Sequence, residues 1–297
     1  MIQIPAYTIT TEIFKGRNST IFKAIRKCDN FPVVLKLLNR EHPSPVDLSA
    51  FLREYEIINK IAGDRIIKTY GIEKYNNSFF IVLEDIGGES VDKVLLLVTQ
   101  GITEKISLAI QMTQALIQVH QNNIIHKDIN PTNFIWNHKT NQLKIVDFGI
   151  AAEITREASQ CINLNELEGL LDYVSPEQTG RVNRPLDCRT DLYSLGITLY
   201  ELFTGRLPFS GDDDLEKIYA HIAKTPIPPS EVNPEIPAII SKIILKLISK
   251  TSEERYQSAL KLKEDLDRCF LLSDEKRKIC DFLLGDRDYG DRFEIPH

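Results

Sequence analysis

The densest run of chemically useful side chains is Ile125-His126-Lys127-Asp128-Ile129-Asn130-Pro131-Thr132-Asn133, and fourteen residues past Asn133 comes Asp147 in Val146-Asp147-Phe148-Gly149. A single Asp in a loop reads first as turn chemistry. The set reads otherwise. The pattern H-x-D-x-x-x-x-N followed by D-F-G supplies a carboxylate, Asp128, placed to act as a base, and two oxygen ligands, Asn133 and Asp147, for Mg²⁺.

Rigid elements must hold such a loop. Before it, Ile106, Ile110, Thr113, Leu116 and Ile117 form one helical stripe, and Leu108, Met112, Ala115 and Val119 a second, so this helix is apolar on enough of its circumference to be buried. After it, Phe134–Trp136 and Leu143–Val146 read as a short hairpin joined by the polar segment Asn137–Gln142. Further helices are expected around 190–203, 214–224, 237–249 and 257–270.

The first 85 residues are different in kind. Short β-branched and aromatic runs at Tyr7–Ile13, Ile21–Ile25, Val33–Leu38, Ile66–Ile72 and Phe79–Leu83 predict an antiparallel sheet, with Asn76-Asn77 as a hairpin turn. One helix is expected within Asp47–Ala62, where apolar residues recur at 51, 55, 58 and 62. Gly87-Gly88 marks the break between the two compositions. Two lobes with a hinge make a cleft, a favoured place for a ligand.

Composition sets outer bounds. With 297 residues, 42% hydrophobic and 26% charged, the chain is an ordinary globular protein of about two units. A formal net charge of -6 argues against a dedicated nucleic-acid binder. Five scattered cysteines, at 28, 161, 188, 269 and 280, suggest neither a disulfide framework nor a zinc site, which points to a reducing, cytoplasmic compartment. No apolar run approaches the ~20 residues of a membrane span, and the N-terminus does not read as a signal peptide.

From about Tyr7 to about Phe270 the sequence resembles the protein kinase family. Beyond the two motifs already given, the family's landmarks appear in order: Val33-Val34-Leu35-Lys36, Glu54 on the helix of the first lobe, Ser175-Pro176-Glu177, Asp191-Leu-Tyr-Ser-Leu-Gly196 and Arg255. The resemblance implies an α+β, bilobal fold: residues 1–85 as an antiparallel sheet with one main helix, 86–272 as a larger, mostly helical lobe, and 273–297 as a linker or tail. It implies ATP and Mg²⁺ as cofactors and a Ser/Thr hydroxyl of a protein as substrate. Lys36 would touch the α- and β-phosphates while pairing with Glu54, for which Glu56 is the rival. Asn133 and Asp147 would hold Mg²⁺, and Asp128 would accept or orient the substrate hydroxyl. Adenine would sit at the hinge near Glu84 and Ile86, beneath Val34 and above Ile135, with Leu83 at the back. Glu177 and Arg255 would form an anchoring ion pair, and His126 would be structural, with Asp191 as its partner.

The sequence also departs from the family pattern. The Gly-rich loop, Phe14–Ile21, keeps only its middle glycine, Gly16; Ser19 would let backbone approach phosphate, and Ile21 follows on the next strand. Asn130 stands where Ser/Thr kinases usually carry a lysine, so it offers a hydrogen bond without a charge to the transfer. Leu170 replaces the threonine after Gly169, and Lys127 replaces the arginine before the catalytic Asp, losing a bidentate fork. Thr155 and Ser159 are candidate phosphosites. These departures keep open a second reading, a catalytically impaired pseudokinase acting as an ATP-binding interaction module; a small-molecule kinase is a third. The run Tyr173–Arg184 with Arg189–Gly196 is similar to bacterial, notably cyanobacterial, kinases that begin large hybrid signalling proteins, which makes downstream domains of a longer chain an expected partner.

Overall fold

The computed structural model of the protein describes residues 4–16, 18–39, 43–97, 101–153, 171–274 and 282–286. Five strands, β1 (Tyr7–Lys15), β2 (Ser19–Arg26), β3 (Phe31–Leu38), β4 (Thr69–Tyr75) and β5 (Ser78–Glu84), form an antiparallel sheet in the order β1-β2-β3-β5-β4. The β4–β5 turn falls at Asn76-Asn77, with Asn76 in the left-handed region at φ 52°, a conformation asparagine tolerates.

Alternation along the strands sorts the side chains onto two faces. Val33, Leu35, Phe22, Ala24, Phe80 and Val82 share one small core with Ile4 and Tyr7. The opposite face carries Val34 and Lys36 from β3, with Ile21 directly across from Lys36 and Leu83 across from Val34. It looks into the cleft.

Helix α1 (Pro45–Lys60) crosses between β3 and β4. Its start is fixed by a capping box, in which the Ser44 hydroxyl accepts from the Asp47 amide and the Asp47 carboxylate accepts from the Ser44 amide, and by Pro45 in the first turn. Its buried face is Phe51, Glu54, Ile57 and Ile58. A carboxylate on that face needs a partner.

The strand expected over Ile66–Ile72 begins only at Thr69. Upstream of it, Ile67 donates its amide to the Ile145 carbonyl (3.1 Å) and Arg65 accepts from the Ile145 amide (2.9 Å). Those backbone groups are spent on the helical half, so they cannot extend the sheet.

In the second half, β6 (Glu89–Ser90), β8 (Phe134–Asn137) and β9 (Gln142–Ile145) form a small sheet, and β7 (Ile124–Ile125) pairs with β10 (Ala152–Glu153). The helices are α2 (Val91–Leu97), α3 (Ile102–Gln121), α4 (Cys188–Thr204), α5 (Asp214–Ala223), α6 (Pro229–Val232), α7 (Ala238–Leu247) and α8 (Ala259–Asp274). Helix α3 lies at the centre of the main core, with Ile106, Ala109, Met112, Leu116 and Val119 out of water. The chain is thus an α+β, bilobal fold with a small antiparallel sheet lobe and a larger helical one.

Helix α8 runs to Asp274, into the segment expected as a tail. Residues 282–286 lie against it: Phe282 and Leu284 pack on the main core, the Gly285 amide donates to Asp265 (2.8 Å), and Arg268 sits 4.4 Å over the Phe282 ring. Among the described residues, no helix is long and apolar enough to cross a membrane.

Candidate active site

Lys36 projects from the middle of β3 into the cleft, where its ammonium lies 2.6 Å from Glu54 Oε1 and 2.9 Å from Asp147 Oδ1. Both Lys36 and Glu54 are buried, whereas Glu56, two residues on, faces solvent. Helix periodicity explains the choice, because Glu54 shares the buried face with Phe51 and Ile58. Burial alone would push the Lys36 ammonium down, but Asp147 and Glu54 outweigh it and keep it charged. For Glu54, burial pushes the carboxyl upward against the pull of Lys36.

The loop after β7 is fastened to α4 by one buried carboxylate. Asp191 accepts from the His126 amide (2.9 Å) and the Lys127 amide (2.8 Å), and its Oδ2 also meets His120 Nε2 (2.9 Å). The expected His126–Asp191 partnership therefore runs through backbone, and the imidazole that reaches Asp191 is His120. The His126 ring is used elsewhere: Nδ1 accepts from the Asp128 amide (3.3 Å), so Nε2 carries the proton it donates to the Val146 carbonyl (3.1 Å). Burial holds this ring neutral by lowering its pKa. It also packs against Phe148, with ring centroids 4.7 Å apart and the planes tilted by 58°.

These bonds deliver Asp128 to the cleft with both oxygens engaged. Asn130 Nδ2 donates to Oδ1 at 2.6 Å and Asn133 Nδ2 to Oδ2 at 2.8 Å. Burial first, and the neighbouring Asp147 second, push the Asp128 carboxyl up to about 7 against those two bonds and the charge of Lys36. Asp147, at the end of the β9 strand, holds a left-handed backbone at φ 63°. Such conformations are retained where surrounding structure over-determines them, often at sites of function. Burial would raise the Asp147 carboxyl, yet Lys36 outweighs it and holds it below the usual range. The Asp147 side chain is 38% exposed, so it can still meet a ligand from the cleft.

Among the described residues no three His, Cys, Asp or Glu side chains gather as a metal cage. Mg²⁺ does not ask for one, since it is held by one or two carboxylates together with substrate phosphates. The oxygen donors of Asp147 and Asn133, beside the same Asp128, fit that requirement.

Of the residues expected around adenine, Ile21 and Val34 are half-buried on the cleft-facing side of the sheet and Leu83 is buried opposite Val34, while Ile86 follows β5 and Ile135 lies on β8, both half-buried. Gly16 opens the bend between β1 and β2; its amide donates to the Ser19 carbonyl (2.9 Å), and its own carbonyl accepts from Asn39 (2.7 Å). Glu84 is more committed than its sequence position suggests. Its amide bonds the Lys68 carbonyl (2.9 Å) and its Oε2 takes the buried Lys144 ammonium at 2.6 Å. The Ile86 carbonyl accepts from Asn137 Nδ2 (2.7 Å), which fixes the hinge. Gly88 is required here, because a Cβ would lie 2.7 Å from the backbone of Trp136.

Glu177 and Arg255 meet as a buried two-armed ion pair. Thr155, Ser159, Gly169 and Leu170 lie outside the described residues. Sequence reasoning missed several supports of the site: His120, Lys144, Gln178, whose Nε2 holds the Lys127 carbonyl at 2.8 Å, and Thr132, which bonds Asn130. For Thr132 a signal existed, as Asn-Pro-Thr is the pattern of an Asx turn. For Lys144, inside Gln-Leu-Lys-Ile, there was none.

Comparison with known proteins agrees with this geometry. A profile of the protein kinase domain matches residues 7–267. A probable serine/threonine-protein kinase of Clostridium acetobutylicum is 34% identical over 264 residues, covering 88% of this chain and 39% of the relative. One of Clostridium perfringens is 31% identical over 272 residues, covering 88% of this chain and 38% of the relative. The serine/threonine-protein kinase PknB of Mycobacterium tuberculosis is 37% identical over 192 residues, covering 64% of this chain and 30% of that protein. The chain spans about two fifths of the length of the two clostridial relatives, at 39% and 38%.

Proposed function

The chain belongs to the protein kinase family, and we propose that it transfers the γ-phosphoryl group of ATP to Ser/Thr hydroxyls of proteins in signal transduction. The observation that carries this reading is the convergence of Lys36, Glu54, Asp147 and the Asp128–Asn133 loop from four separate segments, Lys36 meeting Glu54 at 2.6 Å and Asp147 at 2.9 Å while Asn133 holds Asp128 at 2.8 Å. A site freed from catalysis would have no reason to keep both cation ligands and the base in register.

The roles follow from charge. Lys36, fixed by Glu54, neutralises the α- and β-phosphates. Asp147 and Asn133 would hold Mg²⁺, which when bound shields the phosphate oxygens from the incoming alcohol. Asp128 orients the acceptor hydroxyl and takes its proton as transfer proceeds. Asn130 steadies that carboxylate with a neutral donor. Gly16, Ser19 and Ile21 cover the phosphates and ring from above, while Val34, Leu83, Ile86 and Ile135 enclose adenine and the Glu84–Ile86 backbone contacts it. The full-length protein's substrates, downstream domains as partners and a cytoplasmic setting belong to the same proposal.

Incubation with γ-labelled ATP, Mg²⁺ and casein tests it, with Asp128→Asn as control. Label on casein or on the chain itself, lost in the variant, is the expected result. Thermal stabilisation by ATP without any label in either protein would overturn transfer and leave a binding module.

A further inference from the structure

Thr132 is exposed, and no packing demand explains a hydroxyl at that position. Its two donors nonetheless converge on one atom. The Thr132 amide lies 2.9 Å from Asn130 Oδ1 and its hydroxyl oxygen lies 2.5 Å from the same Oδ1.

That atom decides how Asn130 presents itself. An asparagine side chain can sit in two orientations related by a half-turn, offering its neighbour either an acceptor or a donor. With Oδ1 held by Thr132, Nδ2 is the end turned toward Asp128, which it meets at 2.6 Å. The other carboxylate oxygen is held by Asn133 at 2.8 Å. Each Asp128 oxygen then carries one amide donor and keeps one further lone-pair direction free of these two bonds. Rotation of the carboxylate about its last bond is arrested from both sides. An alcohol delivered to that free direction meets a fixed geometry, and fixed geometry is where much of a transfer rate originates.

We infer that Thr132 is a positioning residue: its hydroxyl, acting through the Asn130 amide, locks the orientation of the Asp128 carboxylate that aims the acceptor alcohol. This rests on the kinase reading above. Asn130 lacks the lysine's charge, so its contribution is directional, and a directional contact needs its own support. The dependence is therefore specific to a chain with asparagine at this position.

The test uses the full chain with γ-labelled ATP, Mg²⁺ and casein, comparing parent, Thr132→Val, Thr132→Ser, Asn130→Ala and the Asn130→Ala/Thr132→Val double variant. Thr132→Val should lower kcat about fivefold, the worth of one hydrogen bond, with KM for ATP within about twofold. Thr132→Ser should restore most of the rate. In the Asn130→Ala background the valine should cost nothing further, because the group it acts through is gone. Equal kcat for parent and Thr132→Val overturns the inference, and so does a valine penalty that persists undiminished beside Asn130→Ala. Failure of the parent to label either casein or itself overturns the kinase reading instead, and the inference falls with it.

Discussion

Both oxygens of Glu177 face the Arg255 guanidinium, Oε1 to Nη1 at 2.7 Å and Oε2 to Nη2 at 2.9 Å, with neither residue more than 3% exposed. Thr190 adds a hydroxyl to Oε1 at 3.1 Å, and Arg255 also donates to the carbonyls of Arg189, Ser249 and Lys250. One guanidinium thus ties the segment after residue 171 to α4 and to the approach to α8. Truncating one partner leaves the other charge buried and unpaired. Glu177→Ala should cost about 3–5 kcal/mol, read as a fall in Tm of roughly 10 °C. A change of only a degree or two would mean that the pair is solvated.

The contact of Lys36 with Glu54 makes a sharper prediction about the nucleotide. Glu54→Gln removes the charge that shares the ammonium with Asp147, so Lys36 turns wholly toward the metal ligand. Phosphoryl transfer should fall by roughly 10²-fold, the scale on which charge-stabilising contacts act. Glu56→Gln, on the solvent side of α1, should leave the rate within about twofold, so parallel assays of the two variants identify the partner.

Asp128 sets a pH dependence. Its carboxyl, lifted to about 7 mainly by burial, must be ionised to take the alcohol's proton. The rate kcat/KM should therefore fall about tenfold per pH unit below that value and level off above it. Asn130→Ala removes a bond that favours the ionised form, so the acid limb should move to higher pH. A limb near pH 4 in the parent would show a solvated, unperturbed base.

His221 governs stability rather than rate. Burial, with Lys250 adding to it, lowers its pKa from 6.5 to about 3, and its Nδ1 accepts from the Tyr193 hydroxyl at 3.0 Å. Between those values the unfolded chain binds the proton and the folded one does not, so stability rises with pH across the window and is lost as pH falls below about 6.5. At pH 5 the loss from this one group is about 2 kcal/mol. His221→Gln should lower Tm at pH 7 yet flatten its dependence between pH 7 and 5, as calorimetry would record.

Much of this was legible before any coordinates. The strand lysine carries a charge in an apolar run, and a buried charge must find its opposite, whereas the motif loop, the helix carboxylate and the buried arginine were legible through their spacing and the family resemblance. The five strands were readable because β-branched and aromatic residues cluster in short runs bounded by turn residues. What escaped is of another kind. Lys144 pairs with Glu84 across two elements whose meeting depends on how the halves dock. His120 reaches Asp191 from the end of α3, and nothing in its own spacing separates it from a surface histidine. The strand expected at Ile66 shortened because Ile145 claims that backbone, a long-range pairing that propensity does not encode.

The fastening of the catalytic loop to Asp191 has a mechanical corollary. Asp128 and Asn133 travel with helix α4, whereas Lys36 and Glu54 travel with the sheet, and the 2.9 Å contact between Lys36 and Asp147 joins the two parties. Tilting one lobe on the other would strain that contact directly and leave each party internally undisturbed. It therefore acts as a gauge of closure, one that nucleotide and cation would also touch, since the same two side chains are the ones proposed to meet them.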